Sequence, residues 1–132
     1  NITMDWYRDI YSRYGDNIRY LYASSTHDYL LSAYFNDITF KKYDTDDDVQ
    51  AVFYHQLQDM VKDFKEMSPS SGLFINDWKN KAVVKTGLRG GTAHTAVRQL
   101  NFYTLTSAGV SMAQWLSDAV NGTVYDVGAE LL

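Results

Sequence analysis

Cysteine is absent from the 132 residues, and proline occurs once. The first absence removes disulfides, thiolate zinc sites, iron–sulfur clusters and thiol nucleophiles together, and it fits a reducing compartment. The second leaves long stretches with nothing to break a helix. Also missing is any run approaching the roughly 18 apolar residues of a membrane span. The opening NITMDWYRDIYSRYGD has neither the basic start nor the apolar core of a secretory signal. These absences lead us to expect a cytoplasmic, soluble chain without membrane contact. Two sequons, at Asn1 and Asn121, are read as chance matches, since a secreted domain without cysteine is uncommon.

What is present is enough to fold. The chain is 45% apolar, 15% aromatic and 21% charged, far from the composition that keeps a chain disordered. Its length suits one domain, residues 1–132, around one core. The net charge of −4 is concentrated in the first half, which holds most of the aspartates and nine of the eleven tyrosines. Such a field disfavours nucleic acid and favours a partner with a basic surface.

Apolar spacing sets the elements. Trp6, Tyr7, Ile10, Tyr11 and Tyr14 predict a helix that Gly15 ends. Leu30, Leu31, Tyr34, Phe35 and Ile38 predict a second, with Thr26 as its cap, although their β propensity leaves strand open. Val49, Val52, Phe53, Leu57, Met60, Val61, Phe64 and Met67 form the longest stripe, over 46–67. The SPSSG stretch at 68–72 then breaks the pattern and is a candidate hinge. LFI and AVV around a turn predict a small β-hairpin near 73–86. Thr92 is expected to cap a helix reaching Tyr103, and Ser111 with Gln114 to open a last one that Gly122 ends. The expected fold is mainly α (or α+β), a single compact domain of about five helices with that hairpin.

Several motifs carry candidate chemistry. Asp44, Asp46 and Asp48 take the first, third and fifth places of a calcium loop, but Val49 replaces the turn glycine and His55 the closing glutamate. Acids opening a helix, where they oppose its positive end, explain the cluster better. The Lys-Thr-Gly at 85–87 matches a strand motif of serine β-lactamases, yet no serine has lysine three residues on, so that chemistry is not expected. His27, His55 and His94 lack metal-ligand spacing. No metal, cofactor or catalytic residue is predicted, and the chain is expected to be non-enzymatic.

The segment LTSAGVSMAQWLSDAVNG, 105–122, resembles the turn and second helix of helix-turn-helix DNA-binding proteins. That resemblance implies a reading helix beginning at Ser111 with Gly109 in the turn. Trp115 departs from the usual branched aliphatic residue, and the helix offers no lysine or arginine for phosphate contacts. A packing role is therefore expected of it.

Two surfaces remain. The first is acidic and tyrosine-rich, with Asp44, Asp46, Asp47, Asp48, Tyr7, Tyr11, Tyr14 and Tyr43 as candidate partner-binding residues, because tyrosine gives large contact area at small entropic cost. It suits a small protein-binding module, in one version a phage or mobile-element inhibitor of a nucleic-acid-handling protein in which the aspartates stand in for phosphates. The alternative is an anion or nucleic-acid binder that uses the cationic, glycine-rich stretch 79–98, with Lys85, Arg89, Gly90, Gly91, Thr92 and Arg98, or a degenerate helix-turn-helix at 105–122. A third reading is a virion or assembly subunit that pairs with copies of itself.

Overall fold

The computed structural model describes residues 2–40, 46–78, 92, 94, 95, 100–104, 106, 107 and 109–132. Among them are five helices and two small pairs of strands, the mainly α arrangement with a small β element that the apolar spacing predicts. Helix α1 spans Ile2–Tyr14, strand β1 Leu21–Ser25, α2 Tyr29–Ile38, α3 Asp46–Met67 and β2 Gly72–Asn76. Then come α4 (Asn101–Thr104), β3 (Thr106–Ser107), β4 (Val110–Ser111) and α5 (Met112–Val120).

The centre of the fold is β2. It pairs in parallel with β1, Leu21 opposite Gly72 through Ser25 opposite Asn76. On its other side Val127 accepts from Ile75 N at 2.9 Å and donates to Leu73 O at 2.8 Å. A strand paired on both edges and covered on both faces reads as a continuous apolar run, which is what Leu73-Phe74-Ile75 is. The strand expected in the first arm of the hairpin is thus present, with β1 as its partner. The second arm, 82–84, lies outside the described residues. Because parallel strands cannot be joined by a tight turn, α2 and α3 form the connection.

Side chains alternate along β2 and feed two clusters. Leu73 and Ile75 join Met4, Tyr20, Leu57, Met60, Val61 and Phe64, with Tyr7, Ile10 and Tyr11 packed alongside. Phe74 points the other way, to Trp78, Met112, Trp115 and Val127. The long stripe of α3 therefore does what its period implies. That of α1 is rotated: Met4, Tyr7, Ile10 and Tyr11 face the core, while Trp6 and Tyr14 stand exposed at its edges.

The break after α3 is a turn with buried ends, Ser68 and Ser71, in which Ser71 N donates to Ser68 O at 3.0 Å and Lys65 Nζ to Ser71 O at 2.7 Å. Lys65 also pairs with Asp126, whose carboxylate accepts from Leu73 N at 3.0 Å. This stretch delivers the chain into β2. At the far end of that strand, Gly128 has φ +75°, and a Cβ there would meet Ile75 O at 2.1 Å. Only glycine fits that close approach.

Near the C-terminal end, Ser111 caps α5, its hydroxyl accepting from Gln114 N at 3.1 Å, as expected from the spacing. Before it, β3 and β4 form an antiparallel pair turned by Gly109 at φ +82°, where helix-turn-helix proteins have a simple turn. Trp115 is buried, with its indole N–H donating to Tyr125 O at 2.8 Å. The exposed side of α5 carries Gln114, Ser117 and Val120, with no cation.

Candidate functional site

Helix α2 is positioned by a polar junction at the carboxyl ends of the parallel strands. Thr26, expected as its cap, still belongs to the sheet, since its N–H donates to Asn76 O at 2.8 Å. The helix can start only where that ladder ends, and Asp28 takes the capping role, Oδ1 accepting from Leu31 N at 2.8 Å. Its other oxygen, Oδ2, meets His94 Nδ1 at 2.7 Å. Asp28 is buried, so both carboxylate oxygens have the partners that burial of an acid demands.

Thr92 completes the junction. It is fully buried, bridges to Asp28, and its hydroxyl accepts from His27 N at 3.1 Å. Of the helix expected from Thr92 to Tyr103, His94 and Thr95 are not helical and α4 covers Asn101–Thr104, while 93 and 96–99 lie outside the described residues. His27 stacks flat on Tyr54 of α3 with ring centroids 4.9 Å apart, and the Tyr54 hydroxyl donates to the carbonyls of Leu131 and Leu132. Gln58 also donates to Leu132 O.

Held this way, α2 lies along α3 and leaves a cleft between them. At one end it is apolar, a volume of about 260 Å³ lined by Leu31, Tyr34, Phe35, Ile38, Val49 and Phe53. A second volume of about 190 Å³ shares Leu31, Phe53 and Gln56 and adds Tyr22, Leu57 and Met60. The third, about 490 Å³, is lined by α3 residues alone, Gln56, Met60, Asp59 and Asp63, and so continues the groove along α3 beyond α2. Three of the apolar walls stand well clear of the protein: Tyr34 is 62% exposed, Ile38 54% and Leu31 44%. Phe40, just past the end of α2, is 95% exposed at φ +60°, a left-handed backbone that a large side chain rarely adopts.

Among the described residues no lysine or arginine lines the three volumes, and Asp37 and Asp48 are exposed on the helices that flank the apolar end. At the other end Asp63 pairs with Arg8 at 2.8 Å across to α1, whereas Asp59 has no ion-pair or hydrogen-bond partner among the described residues.

The residues singled out from the sequence are distributed unevenly over this structure. Asp46, Asp47 and Asp48 form the first turn of α3, the helix opening anticipated for them, and Asp48 is exposed. Tyr7 and Tyr11 turn towards the core: the Tyr7 hydroxyl donates to Leu21 O at 3.0 Å and its ring packs on Phe64, while Tyr11 donates to Asp16 at 3.3 Å. Tyr14 is exposed. Tyr43 and Asp44 lie outside the described residues, as do Lys85, Arg89, Gly90, Gly91 and Arg98. Of the anion-site candidates only Thr92 is described.

Burial holds the Tyr7 and Tyr22 phenols above their ordinary pKa, because desolvation disfavours the phenolate. For Tyr125 the chief cause is its hydrogen bond to Asp118, at 2.7 Å. Among the described residues there is no cluster of three or more histidine and acidic side chains able to hold a metal, and no helix long and apolar enough to cross a membrane.

The apolar wall of α2 was visible in the sequence as a helical stripe, but a stripe signals burial, and nothing in the spacing separates the residues that reach the core from those that stay outside. Comparison of the chain with protein-family models, with curated proteins and with solved structures returns no match.

Proposed function

We propose that this chain is a non-enzymatic protein-binding module whose contact surface is the α2–α3 cleft. One observation carries the reading: Leu31, Tyr34 and Ile38 form an exposed apolar row on a single helix, beside a groove already floored by Val49 and Phe53. Contiguous apolar surface on a folded domain marks an interaction site more often than isolated exposed residues do. The acidic, tyrosine-rich half of the chain still supplies the surface, but through α2 and the exposed side of α3 rather than through Tyr7 and Tyr11.

A random peptide display selection against the purified chain should yield ligands that no longer bind when Tyr34→Asp and Ile38→Asp are combined. Ligands indifferent to that double change would place the binding surface elsewhere and sink the proposal.

A second reading, an anion site on the cationic stretch 79–98, draws on one observation. Thr92 and His94, which belong to that stretch, are hydrogen-bonded to His27 and Asp28 at the N-terminus of α2; Asp28 already caps that terminus, so an anion would be held by the cationic side chains of the stretch. Inorganic phosphate should then raise the melting temperature at low salt and lose that effect at high salt. An unchanged melting temperature at low salt removes this reading.

A further inference from the structure

We infer that the natural occupant of the α2–α3 cleft is an amphipathic helix of about four turns from another protein, apolar along its middle and carrying lysine or arginine at its ends. This rests on the cleft being the contact surface. Its length follows from α3: the lining positions Val49, Phe53, Gln56, Met60 and Asp63 repeat at three and four along one helical face. From Val49 to Asp63 that face runs roughly 21 Å at 1.5 Å per residue, which a facing helix of about 14 residues matches.

Its pattern follows from what lines the groove. The middle and one end offer Leu31, Phe35, Ile38, Phe53 and Leu57, which accept an apolar ridge spaced as in helix-in-groove recognition. One end is bordered by Asp59 and by Asp63, which Arg8 already pairs, and Asp37 and Asp48 are exposed next to lining residues at the other. Asp59 has no ion-pair or hydrogen-bond partner among the described residues. A cation on the partner supplies one and steers the encounter. Two copies meeting cleft to cleft fit the requirement poorly, because none of the described residues lining the three volumes is lysine or arginine.

The deciding measurement uses two synthetic 14-residue helical peptides with the same leucine ridge, one ending in lysines and one in glutamates, titrated by fluorescence anisotropy against the intact chain and its Asp59→Lys variant. The lysine peptide should bind about fivefold or more tightly than the glutamate peptide, and Asp59→Lys should shrink or reverse that ratio. Asp59 has no partner to lose, so this variant should keep its fold. Equal affinity of both peptides, abolished by Tyr34→Asp, would leave the cleft as a contact surface but overturn the basic helix. If neither peptide binds, the basic helix is overturned, and the display selection then decides separately whether the cleft is used. Concentration-dependent dimerisation in sedimentation, blocked by Tyr34→Asp, would overturn it in favour of a second copy.

Discussion

Strand β2 and helix α2 carry the same kind of residue and meet opposite fates. Leu73, Phe74 and Ile75 are sealed on both faces and both edges, whereas Leu31, Tyr34 and Ile38 pack on one side only and present the other to solvent. The difference lies in neighbours. A strand between β1 and Val127, with a cluster above and below, has no free side left. Helix α2 packs on α3 with Leu31, Tyr34 and Ile38 still 44–62% exposed. Apolar residues on the first region stabilise the fold, and those on the second are available to a partner.

The largest effect should come from breaking the buried region. Phe74→Ala removes a fully buried ring from contact with Trp78 and Trp115 and should cost about 3–5 kcal/mol in chemical denaturation, more than any single change on α2. Next is the junction that sets α2 in place. Asp28→Ala deletes the helix cap and the partner of His94 together and should cost about 1–2 kcal/mol in the same measurement.

A smaller effect belongs to alkaline pH. Tyr7 and Tyr22 keep their protons in the folded chain above the ordinary value of 10.0, at which the unfolded chain begins to lose them. Their contribution is therefore intact below that pH and declines as pH climbs through the raised values. Urea midpoints measured from neutral to strongly alkaline pH should fall over that interval, and Tyr7→Phe should make the fall shallower.

The smallest effect on stability is expected where the interaction surface lies. Tyr34→Asp should change unfolding free energy by no more than about 0.5 kcal/mol, since it alters an exposed side chain, while removing peptide binding. A loss comparable to that of Phe74→Ala would show that α2 faces the core in solution and would erase the contrast between the two regions.

Much of the fold was legible before the structure. The stripe of α3 ran from Val49 to Met67 with one period and no breaker, Ser111 with Gln114 announced α5, and Leu73-Phe74-Ile75 read as a strand. The candidate site was far less so. The tyrosines of α1 were attractive as surface residues because of their type, yet Tyr7 and Tyr11 turn inward, as their spacing with Met4 requires. The sequence places the cap of α2 two residues early, since nothing local shows that the hydrogen bond from Thr26 to Asn76, far away in the chain, keeps Thr26 in the sheet.

The sequence by itself determined what periodicity and composition can carry: mainly helical elements, where most of them begin and end, the lack of thiol chemistry, and an acidic first half. Only the tertiary structure decided that β2 pairs in parallel with β1, that Asp28, Thr92 and His94 meet at one junction, and that one apolar face of α2 is left uncovered. The physical reason is that periodicity records which side of an element is apolar, whereas burial depends on what other segments, distant along the chain, supply to cover it.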